Sequence, residues 1–156
     1  MNDFIELMLT RRTIRRFKEE QIKEVELESI LTAGLYAPTA GGSQSATIVV
    51  SQDPILNLEL GQISRNAENT SEARMGRVSS EQPSIVDDAS IKSAFYGAPT
   101  VCTIFAKKDI YNFTGDAFTA AQNMILAAHS LGIGACIVGR CDKTFATDRG
   151  KEIQAS

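Results

Sequence analysis

The residues best suited to chemistry in this 156-residue chain form an arginine-rich segment near its beginning. Arg11, Arg12, Arg15 and Arg16 place four guanidinium groups within six residues, and Thr13 adds a hydroxyl among them. Guanidinium groups bind phosphate oxygens in bidentate fashion. The segment therefore indicates a phosphate site, and a solvated basic turn is the alternative with the same composition.

A second candidate segment is a loop of small residues from Ala37 to Gln44. A backbone that carries small side chains can approach a flat ligand closely. The amide of Gln44 can both donate and accept hydrogen bonds at the edge of a ring. An ordinary helix-to-strand turn is the alternative, because Gly41-Gly42 is common in such turns.

A third candidate is Ile137-Val138-Gly139, which follows an apolar run that begins at Gly132. We expect a turn, a buried strand and a stop at Gly139, with backbone N–H groups exposed where the strand ends. Proteins that alternate strands and helices bind ligands at such strand ends. Taken alone, the run is only a strand that ends at a glycine.

Hydrophobic periodicity predicts the elements that must position these three segments. A stripe at Leu27, Ile30, Leu31 and Leu35 indicates an amphipathic helix that ends before Pro38. The predicted helices span 4–10, 24–36, 54–63 and 115–131, with a last helix capped by Asp142, and the predicted strands span 48–50, 100–106 and part of 132–139. A polar stretch over 65–93 predicts an irregular segment, which is either a lid over the site or a surface excursion.

The helix over 115–131 is apolar almost all round, with polar residues confined to a narrow stripe at Asp116, Thr119, Gln122, Asn123 and His129. A chain of this length forms a single domain over 1–156, and one domain of this size can hardly surround its own helix. We therefore expect a second subunit to cover the alanine-rich face in a symmetric homodimer. His129 lies on the polar stripe, where a structural hydrogen bond is expected rather than catalysis.

The composition excludes several classes of protein. A net charge of −3 and a pI near 5.2 argue against a nucleic-acid binder, and no stretch approaches the roughly 18 apolar residues of a membrane helix. The acidic and polar start of the chain lacks the pattern of a secretory signal, so a cytoplasmic location is expected. Cys102, Cys136 and Cys141 lack the paired spacing of a metal site, and no metal is predicted.

Taken in this order, the three segments resemble the nitroreductase family of flavin enzymes. Residues 11–17 are similar to the family's Arg-Arg-Ser-x-Arg-x-Phe, with threonine at position 13. Residues 37–46 are similar to its Ala-Pro-Ser-x-x-Asn-x-Gln-Pro-Trp, and residues 121–139 to its central helix and the strand end that follows. The resemblance implies an α+β fold of the three-layer type, in which helices flank a central, mostly antiparallel sheet.

The resemblance also implies a site for FMN at the interface of a homodimer. It assigns the phosphate, the ribityl chain and the pyrimidine edge to the arginine-rich segment, with Arg15 as the positive charge at that edge. The loop reaches a flavin held mainly by the other subunit, and the strand end lies against the ring. The FMN-binding residues implied in this way are Arg11, Arg12, Thr13, Arg15, Pro38, Thr39, Ala40, Gly42, Gln44, Ile137, Val138 and Gly139.

Three positions in the loop depart from the family pattern, and so does the end of the chain. Gly42 stands where asparagine is usual, and Ser45-Ala46 replace proline and tryptophan. Family members continue beyond the last helix with a strand and a basic tail that contacts the phosphate, whereas this sequence ends at Ser156. We expect one phosphate contact and an exchanged strand to be lacking.

The activity implied by the resemblance is electron transfer from NADH or NADPH, through FMN, to nitroaromatics, quinones or similar acceptors in a ping-pong cycle. The flavin carries this chemistry, so no catalytic side chain is required. A flavin-binding sensor or carrier with little turnover is the alternative, together with dehalogenation or enone reduction on the same cofactor. A nucleotide-binding module without redox chemistry would rest on the arginine cluster alone.

Overall fold

The structure is a computed structural model, and it describes residues 2–67 and 79–155. Helices and a small antiparallel sheet confirm the predicted α+β class. In chain order the elements are α1 (Asp3–Thr10), α2 (Glu24–Leu35), a 3₁₀ turn (Ala40–Gly42), β1 (Ala46–Ser51), α3 (Pro54–Asn66), β2 (Val101–Ala106), α4 (Phe113–Ser130), α5 (Cys141–Thr144) and α6 (Asp148–Ala155). β1 pairs with β2.

The chain divides into two compact units, each built from three separate stretches. The first unit lies within Met1–Thr13, Gln21–Val50 and Cys102–Ile137. The second lies within Ile14–Glu20, Ser51–Val101 and Val138–Ser156. The prediction of a single domain over 1–156 stays a prediction.

The core of the first unit forms where α2 packs against α4. Ile30, Met124 and Ala128 are buried there, with Ile48 and Ile104 of the strands packed against them. Removing these side chains from water is the main favourable term for the packing. The contact is close because α2 carries a glycine, Gly34, opposite α4.

Burial along α4 follows one stripe. Asp116, Ala120, Met124 and Ala128 are buried at a spacing of four residues, while Phe118 is 53% exposed. That spacing lines one face of a helix. Within the single chain α4 is therefore buried on one side, and the burial expected on its other side stays a prediction about the assembly.

In the second unit, α3 begins at a capped end. The side chain of Asp53 accepts hydrogen bonds from the N–H groups of Ile55 and Leu56, as an N-cap residue does. The buried amide of Asn57 then donates to the carbonyl oxygens of Ser51 and Pro99 at 3.3 and 3.0 Å. These bonds hold the helix to the last residue of β1 and to the chain that precedes β2.

The sequence-based prediction was wrong for the strand expected within 132–139. Only an isolated bridge between Thr13 and Ala135 forms there, and Ile137 is 42% exposed. Beyond that bridge, no strand among the described residues pairs with this stretch. Asp142 was also misplaced, because it lies inside α5 rather than at the cap.

The predicted irregular segment over 65–93 is described in part. Arg65 and Asn66 belong to the last turn of α3, and residues 79–93 form turns without helix or strand. Residues 68–78 lie outside the described residues. None of the helices in the part of the chain that the structure describes has the length and apolar character needed to cross a membrane.

Candidate functional site

Arg11 and Arg12 follow directly from the end of α1. The backbone N–H of Arg11 donates to the carbonyl oxygen of Leu7 at 3.2 Å. The guanidinium of Arg12 turns back, and its Nη1 donates to the carbonyl oxygens of Leu9 and Arg11 at 2.7 and 2.8 Å. A cation at this end is favourable because the last carbonyl groups of a helix carry partial negative charge.

Thr13 joins the arginine-rich segment to the third candidate segment. It forms a parallel bridge with Ala135, two residues before Ile137. The hydroxyl of Thr10, three residues earlier, lies 3.1 Å from Nε2 of His129 near the end of α4. The first unit thus brings Thr13 and Ile137 into the same neighbourhood, and His129 has the structural contact expected of it.

The loop from Pro38 to Ser45 is fastened to the first turns of α4. The hydroxyl of Thr119 donates to the carbonyl oxygen of Pro38 at 3.0 Å. Within the loop, the N–H of Gln44 donates to the hydroxyl of Thr39 at 3.0 Å. The side chains of Pro38 and Gln44 stay exposed, so the loop is held by its backbone and by its small polar residues.

Three residues of this loop adopt the left-handed backbone conformation. Gly41, Gly42 and Gln44 have φ angles of 61°, 67° and 46°. Glycine enters this region without steric cost, whereas a residue with a side chain does so against its preference. The conformation of the loop therefore depends on contacts that hold it from outside.

Asp116 provides those contacts, although the sequence had marked it only as part of a polar stripe. The residue is buried and retains 2% of its solvent exposure. Oδ1 accepts the N–H of Ala40 at 2.9 Å, and Oδ2 accepts the hydroxyls of Ser43 and Ser45 at 3.2 Å each. One buried carboxylate therefore binds three residues of the loop.

Arg15 belongs to the second unit, where Gln82 and Tyr96 surround it. Its backbone N–H donates to Oε1 of Gln82 at 2.7 Å, and its Nη1 donates to the carbonyl oxygen of Gln82 at 3.0 Å. The guanidinium carbon lies 5.8 Å from the centre of the Tyr96 ring, within the range of a cation–π contact. Its Nε is buried and has no hydrogen-bond partner among the described residues.

Arg15 lines a cleft of about 350 Å³ in the second unit. The residues around it are Arg15, Arg16, Pro83, Asp88, Ile91, Lys92, Ser93, Tyr96 and Gly97. Three of these side chains are cationic and one is a carboxylate. Hydrogen bonds from Ser90 lower the pKa of Asp88, and the charge of Lys92 lowers it further. The cleft therefore favours an anionic or electron-rich ligand.

Val138 and Gly139 also lie in the second unit. Val138 is half-buried, Gly139 is exposed, and a Cβ atom added at Gly139 would meet no other atom within 4 Å. The backbone at this position is therefore open to approach. The guanidinium of the next residue, Arg140, donates a hydrogen bond to the carbonyl oxygen of Ala67.

Cys102 and Cys141 do not contribute nucleophiles to these neighbourhoods. Burial raises the pKa of Cys102 to about 11, and burial together with the adjacent Asp142 does the same for Cys141. The thiolate is the reactive form of cysteine, and it is scarce at neutral pH when the pKa is this high. None of the three cysteines forms a disulfide within the described residues.

Comparison with known proteins identifies a family that covers most of the chain. A family model described as the nitroreductase family matches residues 8–149. A crystal structure of a nitroreductase with bound FMN from Desulfitobacterium hafniense is 25% identical, with a TM-score of 0.81, and the match covers 99% of this chain and 80% of that one. Such a match confirms the predicted nitroreductase-like fold.

Two further relatives have more specific names. An FMN-dependent nitroreductase from Clostridium difficile is 31% identical, with a TM-score of 0.70, over 88% of this chain and 61% of that one. An NADPH-flavin oxidoreductase from Vibrio harveyi is 28% identical over 142 residues, which are 89% of this chain and 54% of the relative. The chain spans between 54% and 68% of the lengths of the curated relatives compared with it.

Proposed function

Because the chain belongs to the nitroreductase family, we propose that it binds FMN and transfers electrons from NADH or NADPH to small acceptors. Nitroaromatics and quinones are the proposed acceptors, and the proposed kinetic scheme is ping-pong. The names of the relatives support the proposal, since they are flavin reductases and FMN-dependent nitroreductases. FMN would supply the two-electron chemistry when bound.

The observation that carries the proposal is the environment of Arg15. Its buried Nε–H has no acceptor among the described residues, and a buried donor without a partner is costly. The edge of a flavin ring offers oxygen and nitrogen acceptors that would satisfy this donor. Arg16 and Lys92 add positive charge to the same cleft. These residues fit an electron-rich, anionic cofactor.

The remaining proposed contacts follow the family pattern. Arg11, Arg12 and Thr13 would hold the phosphate and the ribityl chain. Pro38, Thr39, Ala40, Gly42 and Gln44 would contact the cofactor through the loop, and Ile137, Val138 and Gly139 through the backbone. The open space beside Gly139 supports this role, because a flat ring can approach a backbone that carries no side chain.

A homodimer is part of the proposal, and α1 is its main support. Phe4, Ile5, Met8 and Leu9 are between 43% and 59% exposed, and α1 contains no buried residue. Phe118 of α4 is similarly exposed. Apolar groups on this scale are typical of surfaces that another protein covers, and a two-fold interface would bury them in pairs. A cytoplasmic location is also proposed.

The first experiment is a visible absorption spectrum of the purified protein during titration with FMN. We expect flavin bands that shift on binding and bleach anaerobically when NADH or NADPH is added. Arg15→Gln should weaken FMN binding about tenfold or more, as expected for the loss of a charged hydrogen bond. Arg149→Gln removes a guanidinium from the surface of the same unit and serves as the control.

The alternative to an enzyme is a flavin-binding protein with little turnover. The replacement of asparagine by Gly42 and of proline and tryptophan by Ser45 and Ala46 favours it, because the pocket loses polar and aromatic side chains. Steady-state oxidation of NADH or NADPH with a quinone separates the two, since a carrier would bind FMN without turnover. Failure to bind FMN at any concentration would overturn both.

A further inference from the structure

The carboxylate of Asp116 connects α4 to the loop that the proposed function assigns to FMN. It accepts hydrogen bonds from residues 40, 43 and 45, so that its contacts extend along most of the loop. Two of these donors are hydroxyls and one is a backbone N–H. A carboxylate has about four acceptor positions, and the loop occupies three of them.

Burial makes this arrangement demanding. A carboxylate that retains 2% of its exposure has lost its water and depends on the donors that the protein provides. Conversely, the N–H of Ala40 and the hydroxyl of the buried Ser45 depend on Asp116 as their shared acceptor, and the exposed Ser43 adds a third bond. Hydrogen bonds to an ionised group are stronger than those between neutral groups. The position of the loop is therefore fixed from the first turns of α4.

The loop needs such an anchor, because its backbone is not in its preferred conformation. Gln44 has a positive φ of 46°, between Ser43 and Ser45, both of which donate to Asp116. The two bonds on either side hold a residue that would otherwise return to the ordinary region. The family pattern has proline at the position of Ser45, and a proline side chain could not donate this bond.

We propose that Asp116 is a positioning residue, whose carboxylate holds the loop from Pro38 to Ser45 in the conformation that receives FMN. The inference rests on the proposed function for its cofactor, and on geometry within one unit for its mechanism. Asp116 acts through Ala40, Ser43 and Ser45 and has no contact with the cofactor assigned to it. Its removal should release the loop before it affects the rest of the fold.

The test compares hydrogen exchange in peptides covering 38–46 with the dissociation constant for FMN. Asp116→Ala should speed exchange in this loop and weaken FMN binding by about tenfold or more, because several charge-assisted bonds are lost together. Asp116→Asn keeps an oxygen for the N–H of Ala40, and the hydroxyls can reorient toward its NH₂ group. We expect it to retain affinity within about threefold to tenfold of the unmodified protein.

Two further variants separate positioning from a general loss of stability. Ser43→Ala combined with Ser45→Ala removes both hydroxyls and leaves the carboxylate in place, so it applies even where Asp116→Ala fails to fold. Asp53→Ala removes a carboxylate that accepts two backbone N–H groups at the start of α3. This control should lower stability without changing exchange over 38–46 or the affinity for FMN.

Each result has a defined meaning. Faster exchange in the loop together with weaker FMN binding supports the positioning role. Unchanged exchange in the Asp116 variants and the serine double variant overturns it, as does faster exchange with FMN affinity unchanged within twofold. If the unmodified protein binds no FMN, the proposed function fails and the cofactor part of this inference fails with it, while exchange alone decides whether Asp116 holds the loop.

Discussion

Gly34 lies in the last turn of α2, and replacing it with alanine tests how closely α2 and α4 approach each other. A Cβ atom at this position would lie 2.7 Å from Cγ of Met124 and 2.9 Å from Cδ1 of Ile48. Both distances are shorter than a normal contact between carbon atoms, so the neighbouring side chains must move. Overpacking of this kind costs about 1–3 kcal/mol.

The same substitution has an opposing effect, because alanine is more favourable than glycine in a helix by about 0.5–1 kcal/mol. The two contributions together predict that Gly34→Ala lowers the free energy of unfolding by about 1 kcal/mol. For a chain of this size, that loss lowers Tm by about 2–4 °C. Urea denaturation of the protein without cofactor, followed by circular dichroism, measures the change.

A second background identifies the contact responsible. Met124→Ala alone should cost about 2–5 kcal/mol, because it empties a buried site. In that background only Cδ1 of Ile48 remains close to the added Cβ, so Gly34→Ala should lower the free energy of unfolding by less than it does in the unmodified protein, or raise it by up to about 0.5–1 kcal/mol. If Gly34→Ala stabilises the unmodified protein, α2 and α4 do not approach each other this closely. Equal destabilisation in both backgrounds would remove Met124 as the cause.

Three other predictions concern Gly42 in the loop, the stability of the fold in acid, and the reactivity of the cysteine thiols. Gly42→Asn should fold normally, since asparagine tolerates a φ of 67° and its Cβ meets nothing within 4 Å. The asparagine side chain would add one hydrogen bond, so a fluorescence titration should show FMN binding that is tighter by about twofold to tenfold. Hydrogen bonding from Arg149 lowers the pKa of Glu59, so the pair stabilises the fold above about pH 4.5, and this contribution is lost as the pH falls further. Arg149→Gln should therefore make the free energy of unfolding less dependent on pH in that range. Because their pKa is raised to about 11, Cys102 and Cys141 should react slowly with iodoacetamide at pH 8 in the native protein and quickly in urea, and fast native labelling by mass spectrometry would contradict this.

The long elements could be predicted because periodicity reports directly on burial. The helix predicted over 24–36 is observed as Glu24–Leu35, and the helix over 115–131 as Phe113–Ser130. The stretch after α4 was mispredicted for a related reason. Its apolar residues indicate burial, but a strand also needs a pairing partner, and composition does not show whether one is in reach.

The contacts that shape the candidate site were harder to predict. Asp116 continues the four-residue spacing of Ala120, Met124 and Ala128, and a carboxylate on a buried stripe indicates that donors come to it. The donors lie 71 to 76 residues away along the chain. Spacing within one helix carries no information about which distant loop supplies them. The residue could be flagged from the sequence, but its role could not.

The exposed apolar surface of α1 makes the proposed cofactor site sensitive to protein concentration. A helix of eight residues is too short to persist by itself in water, and Arg11, Arg12 and Thr13 follow directly from its end. If a second copy covers α1, mass action links the order of this helix to protein concentration. Retention of FMN would then fall as the protein is diluted, without any change in sequence, pH or temperature.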